Sequence, residues 1–305
     1  KTPRLMIVTC LLLCAPANML IGFFPPFIGI LLLWCVNAFA QSMLWGSVVC
    51  SVVTVYGEEA AKKRVSFLVS SCPAGQIISI LLTTVLIDYF GLRWAFIIPG
   101  LVTAILGLIL LFVLNRIPAP IRETEEMQGE KQKPLSCFSM LRSREFQIVS
   151  IPAFFHGILK ENITLWMTVF FVDRYAIDLN QTAGFVLLIP IVGLVARMMY
   201  PFAYRLCKNR EHLVSQFGFL ICIPAGLLLC FEQLPPVLAI CCLSILYAAI
   251  SLINTTFLTI YPLRFAREGK TASVSGIMDF VTYLGGGIGS VVYGFIIDRL
   301  GYVPM

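Results

Sequence analysis

Two long stretches near the start of the chain contain no charged residue at all. Leu5–Phe23 and Phe27–Tyr56 are uncharged, and about 20 apolar residues are enough for a helix to cross the hydrocarbon core of a bilayer. Charged residues make up 12% of the chain, which is about half the share that a soluble domain uses to cover its surface. The sequence therefore predicts an all-α, polytopic membrane protein.

Apolar runs between charged or proline-rich breaks divide the chain into nine predicted membrane-spanning helices. Two of the connections, Phe24–Pro26 and Gln233–Pro236, are so short that they predict tight hairpins between antiparallel helices. The predicted spans are 5–23, 27–56, 66–87, 94–114, 146–172, 182–204, 213–231, 236–262 and 272–297.

Basic residues between these spans fall mainly on one side of the predicted membrane, here called side A. On the opposite side, side B, the basic loop residues are Arg93, Arg174 and Arg299. Because cytoplasmic loops are enriched in lysine and arginine, side A is predicted to be cytoplasmic, and we expect a location in the plasma or inner membrane. The basic groups of side A are Lys1 and Arg4, Lys62–Arg64, the segment 115–145, Arg205–Arg210 and Arg264–Lys270.

The segment 115–145 differs from the rest of the chain because it is polar and carries both signs of charge, including the acidic run 123–126. Such a composition cannot bury an apolar face. We therefore expect a cytoplasmic linker that joins a partial N-terminal helical bundle, 1–114, to a partial C-terminal bundle, 146–305.

A weak repeat at an offset of 210 residues supports this division into two bundles. Asp88–Gly91 aligns with Asp298–Gly301, and Gly75 then falls on Gly285. A parallel repeat on either side of a polar linker is typical of transporters built from two similar halves.

The sequence contains no set of residues typical of catalysis or of cofactor binding. It has no HExxH, GxSxG or Walker motif, and its only histidines are His156 and His212. None of its 11 cysteines forms a CxxC pair, and cysteine in an apolar run behaves as a small hydrophobic residue. We therefore expect no enzyme activity, no metal and no cofactor. The net charge of +6 comes mainly from the loops of side A, so we expect a lipid bilayer and a small-molecule solute as partners, no nucleic acid, and a monomer.

Four short motifs resemble the major facilitator superfamily, and within it the organophosphate:phosphate antiporter branch that includes the glycerol-3-phosphate transporter. They are Asn37–Trp45, Gly157–Lys160 with Thr164–Trp166, Val274–Phe280 with Tyr283, and Asp298–Gly301. The resemblance implies the major facilitator fold, with twelve helices in two halves. The predicted spans would then be helices three to eleven, so we expect a fragment that lacks the first two helices and the last.

Two departures from the branch bear on the solute. The position that matches the branch's fifth-helix histidine is Cys72, and its seventh-helix arginine aligns with Phe155, just over one turn before Lys160. An organophosphate is therefore not implied. The resemblance supports a small organic solute and leaves an anion open.

Lys160 is the strongest candidate for contact with the solute, because it lies near the middle of the span 146–172. An ionisable group at the centre of a membrane helix costs about 2.5–3.5 kcal/mol on insertion scales, so it normally points into the bundle. The alternative is a structural ion pair with Glu161 or Asp279. Asp279 and Glu161 are also candidates for ion coupling, and so is His156, one turn before Lys160, which could instead be a packed core histidine.

A second candidate set consists of Asn37, Gln41 and Trp45, whose spacing of four predicts one stripe along a helix. These side chains could bind a solute or could bond helix to helix. Tyr283, four residues after Asp279, is a further candidate. Arg197 lies near the cytoplasmic end of its span, and we expect it to snorkel to the membrane surface or to belong to a cytoplasmic gate rather than to contact solute.

The glycines Gly285–Gly287 with Gly289 are not a phosphate-binding loop, because no strand precedes them and no lysine follows. They predict close helix packing or a hinge. Taken together, these features predict a secondary active transporter that works by alternating access. A transporter-like solute sensor is the alternative, and a membrane-embedded enzyme is a third option that the lack of clustered His, Asp or Glu disfavours.

Overall fold

The computed structural model describes residues 3–116, 142–177, 179–231, 233–266 and 270–301. Within these ranges the secondary structure is helical throughout. The predicted linker 115–145 lies almost entirely outside the described residues. The helices are α1 (Pro3–Ile21), α2 (Phe27–Ser42), α3 (Leu44–Phe90), α4 (Trp94–Arg116), α5 (Arg144–Tyr175), α6 (Leu179–Met198), α7 (Tyr200–Leu206), α8 (Glu211–Leu229), α9 (Pro236–Thr255) and α10 (Thr271–Leu300).

Three helices are interrupted or irregular. Met43 separates α2 from α3, and Gly57 breaks α3 because its φ of 73° lies in the left-handed region that favours glycine. α9 continues through a π-helical turn, Thr256–Ile260, into a last turn, Tyr261–Leu263. Each of the nine predicted spans coincides with one or two of these helical segments.

Seven helical segments of the described residues are long and apolar enough to cross a membrane, or eight if Val186–Met198 and Tyr200–Leu206, which meet at 52°, form one span. The long helix α5 is not among them, because Lys160, Glu161 and their polar neighbours lower its mean hydropathy. The polytopic helical fold is therefore confirmed, and the helix that departs from the apolar pattern is the one that carries the principal candidate residue.

Large apolar side chains are exposed along the helices, as lipid-facing residues of a membrane protein are expected to be. Phe27 is 78% exposed, Phe67 88% and Val291 75%. In water such surfaces would drive association, whereas in a bilayer they face hydrocarbon. Helices satisfy their own backbone hydrogen bonds, which is why they are the elements that can lie in this solvent.

The chain forms two compact units. The first unit consists of Lys1–Ala61, Ile78–Pro134 and Leu263–Gly276. In it, α1 packs against α4 and α2. The approach is close because Gly100 faces the Ala15 carbonyl and the Met19 side chain, and Gly107 faces Leu11 and Leu12. Small residues allow helix backbones to approach in lipid, where no hydrophobic effect drives association.

The second unit consists of Lys62–Ile77, Leu135–Pro262 and Ile277–Met305. α9 is central to it and packs against α8, α6 and α5. Its core combines aromatic residues of α5, such as Phe170 and Phe171, with Leu243, Tyr247 and Ile250 of α9. This unit holds the charged and polar residues described next.

Candidate functional site

Capping and charged residues stabilise both ends of α5. The Ser143 hydroxyl accepts a hydrogen bond from the Phe146 N–H at 3.3 Å, and Glu145 follows in the first turn. Arg174 lies in the last turn. An N-cap hydroxyl, an early acidic residue and a late basic residue all stabilise a helix through its terminal groups and dipole. The helix therefore holds its central residues in a fixed register.

Glycines bring α5 and α10 into direct backbone contact. A β-carbon at Gly157 would collide with the Thr282 carbonyl, and one at Gly285 would collide with the Phe154 carbonyl. A β-carbon added at Gly286 would lie 2.5 Å from the Glu161 side chain, and one added at Gly289 would lie 2.7 Å from the Asn162 side chain. The predicted role of this glycine cluster in close helix packing is confirmed for Gly285, Gly286 and Gly289.

Lys160 lies beside this contact and has two partners. Its Nζ is 2.9 Å from Oε1 of Glu161, with the two side chains 18% and 32% exposed. The same Nζ lies 5.1 Å from the centre of the Tyr283 ring, which is cation–π distance. Asp279, half-buried on α10, interacts electrostatically with Lys160 as well. The structure therefore places four predicted site residues together in one cluster: Lys160, Glu161, Asp279 and Tyr283.

His156 is fully buried one turn before Lys160. Its ring lies edge-on to Phe257 of the π-helical turn, at 6.1 Å between ring centres. The Ile250 backbone is near the ring, yet neither ring nitrogen makes a hydrogen bond of ordinary geometry within the described residues. A buried polar group without such a bond is costly; the role of His156 in ion coupling and its alternative, core packing, both stay predictions.

Arg197 is 5% exposed, and its Nη1 donates a hydrogen bond to the Val69 carbonyl at 3.0 Å. Both residues belong to the second unit. The guanidinium therefore ties the last part of α6 to the middle of α3. This tie is compatible with the predicted gate, although the gating role itself stays a prediction.

The other predicted stripe belongs to the first unit. Asn37 is 1% exposed, and its backbone carbonyl accepts a weak hydrogen bond from the Cys14 thiol at 3.8 Å. Gln41 is exposed and Trp45 is half-buried. The three side chains therefore differ in exposure, although Phe27–Gly57, which carries all of them, is one apolar span and Met43 keeps helical dihedral angles. Their role in solute binding stays a prediction.

Sequence reasoning overlooked a buried polar band on α9 and the π-helical turn. Thr256 shares a hydrogen bond of 3.1 Å with the Tyr200 hydroxyl. π-helical turns are rare and frequent at functional sites. The signal was present in the sequence, because polar side chains recur in an otherwise apolar span and all of them are buried: Ser251, Asn254, Thr255, Thr256 and Thr259.

The Lys160 cluster can bind and exchange charged groups but offers no nucleophile with an activating base. The Lys160 ammonium has three donors, and Glu161 occupies one of them in this structure. Within the described residues no group of three or more His, Cys, Asp or Glu side chains could hold a metal ion. The chemistry of the site is therefore ion pairing and hydrogen bonding in a half-buried environment.

Comparisons with known proteins point to one family. A family model described as Major Facilitator Superfamily matches residues 2–290. A search of curated proteins found no relative by sequence.

Solved transporters share the fold at low sequence identity. The fucose:proton symporter FucP of E. coli superposes with a TM-score of 0.73 at 15% identity, covering 99% of this chain and 79% of that one. The human organic anion transporter MFSD10 gives 0.71 at 16% identity, with 98% and 72% covered. A bacterial homologue of the human lysosomal transporter Spinster, inward-facing and unoccupied, gives 0.63 at 16%, with 99% and 71% covered.

Proposed function

Because the chain belongs to the Major Facilitator Superfamily, we propose that it is a secondary active transporter that carries a small organic solute across a membrane by alternating access. Membership of this family indicates a solute transporter rather than an enzyme. The observation that carries the finer proposal is the Lys160 cluster near the centre of α5, where the ammonium pairs with Glu161, lies over the Tyr283 ring and interacts electrostatically with Asp279.

The charges of the cluster suggest how solute and ion are coupled. Lys160 contributes one positive charge, and Glu161 and Asp279 contribute two carboxylates. The two carboxylates repel an anionic solute that approaches Lys160, and protonation of one of them weakens this repulsion. We therefore propose an organic anion as the solute, with Glu161 or Asp279 carrying the coupling proton.

His156 and Arg197 have supporting roles in this proposal. His156 interacts electrostatically with both Lys160 and Arg197, so a proton on its ring would oppose the charge of Lys160. Arg197, through the Val69 carbonyl, holds one access state. Solute binding by Asn37, Gln41 and Trp45 is part of the proposal as well.

Binding is tested first, because the solute is not yet identified. The purified chain is heated in detergent with lactate, succinate or glycerol 3-phosphate, and with glycerol as the neutral control. A ligand that binds the folded state raises the unfolding temperature, by the equivalent of about 2.7 kcal/mol at a hundredfold excess over the dissociation constant. We expect stabilisation by at least one anion and none by glycerol.

Uptake of the stabilising anion into proteoliposomes then tests transport, with Lys160→Met as the site variant. Lys208→Met is the matched control, because Lys208 is an exposed residue outside the helices. We expect Lys160→Met to lose uptake and ligand stabilisation and Lys208→Met to retain both. Undiminished uptake by Lys160→Met would remove the site assignment.

The mode of transport is tested in the same vesicles. Uptake that needs an inward proton gradient identifies symport, as the carboxylate mechanism predicts. Uptake that needs preloaded internal solute identifies the antiport that resemblance to the organophosphate:phosphate branch predicts. A single chain supplies all the residues of this proposal, so we expect light scattering of the detergent complex to show a monomer.

Orientation is tested through Cys137, in the predicted linker. With side A cytoplasmic and the protein in the plasma or inner membrane, an impermeant thiol reagent should modify Cys137 only after the cells are permeabilised. Labelling of Cys137 in intact cells would reverse the orientation.

A further inference from the structure

Two cysteine thiols face each other inside the first unit. Cys10 and Cys14 lie four residues apart on α1, so they share one face of the helix. Their sulfur atoms are 4.0 Å apart, and the side chains are 1% and 5% exposed. The Cys14 thiol also donates to the backbone carbonyl of Asn37 in α2 at 3.8 Å. The contact between α1 and α2 therefore holds two free thiols side by side.

A third sulfur atom comes from the neighbouring segment. Met43, the residue between α2 and α3, packs together with Leu44 against the cluster of Cys10, Cys14 and Ala40. The Met43 side chain is half-buried. A thioether is polarisable, and the unbranched methionine side chain adapts to its surroundings through three rotatable bonds. Two thiols and one thioether therefore meet at one contact between helices.

The distance between the two thiols fits a bridging metal ion. Two bonds of about 2.3 Å, the length of a zinc–thiolate bond, span 4.0 Å at an angle of about 120° at the metal. This is the angle between the ligands of a trigonal complex, which leaves one position for a third donor. Met43 is the side chain placed to fill that position. The ion needs no empty cavity, because it takes the place of a thiol hydrogen between the sulfur atoms.

The sulfur donors and their apolar surroundings together select the ion. Thiolates and thioethers bind soft ions such as Cu(I), whereas Mg²⁺ and Ca²⁺ require oxygen ligands. An uncompensated charge is costly in such surroundings. Cu(I) meets this condition by replacing the Cys10 proton: the S–H bond breaks, an S–Cu bond forms, and the proton passes to water. Cys14 stays a neutral thiol that donates to the Asn37 carbonyl and binds the ion through a sulfur lone pair.

Met6 gives the ion a route to the two thiols. It lies four residues before Cys10, in the first turn of α1 and two residues after Arg4, so it shares the helix face of Cys10 and Cys14. This end of α1 belongs to side A, which is predicted to be cytoplasmic. The cytoplasm keeps thiols reduced, which is the state that binds Cu(I). Three sulfur side chains of α1 thus lead from the end of the helix to the contact with α2.

We propose that Cys10, Cys14 and Met43 form a binding site for one soft monovalent metal ion, Cu(I). The site goes beyond the proposed transport function, because it uses none of the residues of the Lys160 cluster. It is not among the motifs on which the expectation of no metal rests, since its cysteines are spaced by four and its third ligand comes from another segment. A bound ion should stabilise the first unit, because only the folded chain brings the three sulfurs together.

Competition with bicinchoninate, a chelator that turns purple with Cu(I), tests the proposal. The full chain in detergent is titrated into the Cu(I)–bicinchoninate complex with ascorbate and without oxygen, and we expect it to remove one equivalent of Cu(I). Cys10→Ala with Cys14→Ala should lose this equivalent. Cys241→Ala with Cys242→Ala is the matched control and should retain it, because it also removes two cysteines of one helix but consecutive residues do not face each other.

Met43→Leu tests the third ligand. Leucine has no sulfur but conserves the volume of methionine, so the fold should tolerate it. Even the loss of an outer partner of a metal ligand costs about 10–100-fold in affinity, and we therefore expect the dissociation constant for Cu(I) to rise at least about tenfold. Met19→Leu is the matched control, because Met19 packs against Gly100 of α4 instead, and it should bind Cu(I) as the unmodified chain does.

A chain that removes no Cu(I) from bicinchoninate would overturn the proposal. Full retention by Cys10→Ala with Cys14→Ala would overturn it as well, and so would an equal loss in Cys241→Ala with Cys242→Ala, which would mean that scattered thiols bind the ion. Equal affinity in the two methionine variants would remove Met43 from the site. The unfolding temperature without copper shows whether each variant is folded. If the variant without Cys10 and Cys14 is unfolded, the comparison of the two volume-conserving methionine variants decides the proposal.

Discussion

Gly157 of α5 packs against the backbone of Thr282 in α10, with no space for a β-carbon between them. This contact, with its counterpart between Gly285 and Phe154, brings the two helices close enough for the Lys160 ammonium to lie over the Tyr283 ring. The geometry of the charged cluster therefore depends on glycines that carry no chemistry of their own.

Gly157→Ala should destabilise the chain. The added methyl group must push α5 away from α10, and overpacking of this kind costs typically about 1–3 kcal/mol. Gly287→Ala is the control, because a β-carbon there meets open space and alanine is the better helix former by about 1 kcal/mol. Denaturant titration in detergent should give Gly157→Ala the lower free energy of unfolding. Equal free energies in the two variants would show that α5 and α10 can move apart at no cost.

Tyr283→Leu should weaken solute binding, whereas Tyr283→Phe should not. Both substitutions remove the hydroxyl, but phenylalanine keeps the ring face that lies 5.1 Å from Lys160 Nζ. A cation–π contact contributes about 0.5–1 kcal/mol at a partly exposed site. We therefore expect the dissociation constant to rise about two- to fivefold in Tyr283→Leu only. Equal loss in both variants would assign the effect to the hydroxyl instead.

Arg197→Met should loosen the middle of α3. The substitution removes the 3.0 Å hydrogen bond to the Val69 carbonyl, which is worth ~1 kcal/mol. Cys72, exposed one turn further along, should then react with a maleimide about fivefold faster. Arg205→Met, at an exposed position, should leave the rate unchanged. An unchanged rate in Arg197→Met would deny the arginine a role in holding this segment.

Tyr200 and Thr256 should show energetic coupling. Their hydroxyls are 3.1 Å apart and buried, and the bond ties the start of α7 to the π-helical turn. A double-mutant cycle of Tyr200→Phe and Thr256→Val, followed by unfolding in detergent, should give a coupling free energy of about 0.5–1.5 kcal/mol. If the two substitutions have additive effects on the free energy of unfolding, the two hydroxyls do not interact in the folded state.

Arg174→Gln should destabilise the second unit more than Arg299→Gln does. Arg174 donates to two backbone carbonyls, one at the last residue of α8 and one just after that helix, and hydrogen bonds from a charged donor contribute about 1.5–3 kcal/mol. Arg299 lies over the Phe295 ring near the end of α10, a contact that glutamine replaces at small cost. Comparison of the two unfolding midpoints checks this expectation, and similar midpoints would contradict it.

Much of the fold was predictable because the signals for it are local. The length and lack of charge of stretches such as Leu5–Phe23 require a helix in lipid, whatever the rest of the chain does. The charged residue Lys160 was identifiable for the same reason, since its cost in a membrane span does not depend on its partners. The Gly285–Gly289 cluster likewise predicted helix contact from residue size alone.

The π-helical turn Thr256–Ile260 was not predictable in this way. It lies inside the predicted span 236–262, whose composition is compatible with an unbroken α-helix. The break of α3 at Gly57, by contrast, falls between the predicted spans 27–56 and 66–87.

The sequence by itself determined that this protein is a set of lipid-spanning helices, because hydropathy and length act on each segment separately. Tertiary structure decided which groups meet: Glu161 rather than Asp279 as the near partner of Lys160, Val69 as the acceptor for Arg197, and Thr256 beside the Tyr200 hydroxyl. Such pairings depend on the rotation and approach of each helix to within about an ångström. Those quantities arise from the packing of many side chains at once, and no periodicity along the chain encodes them.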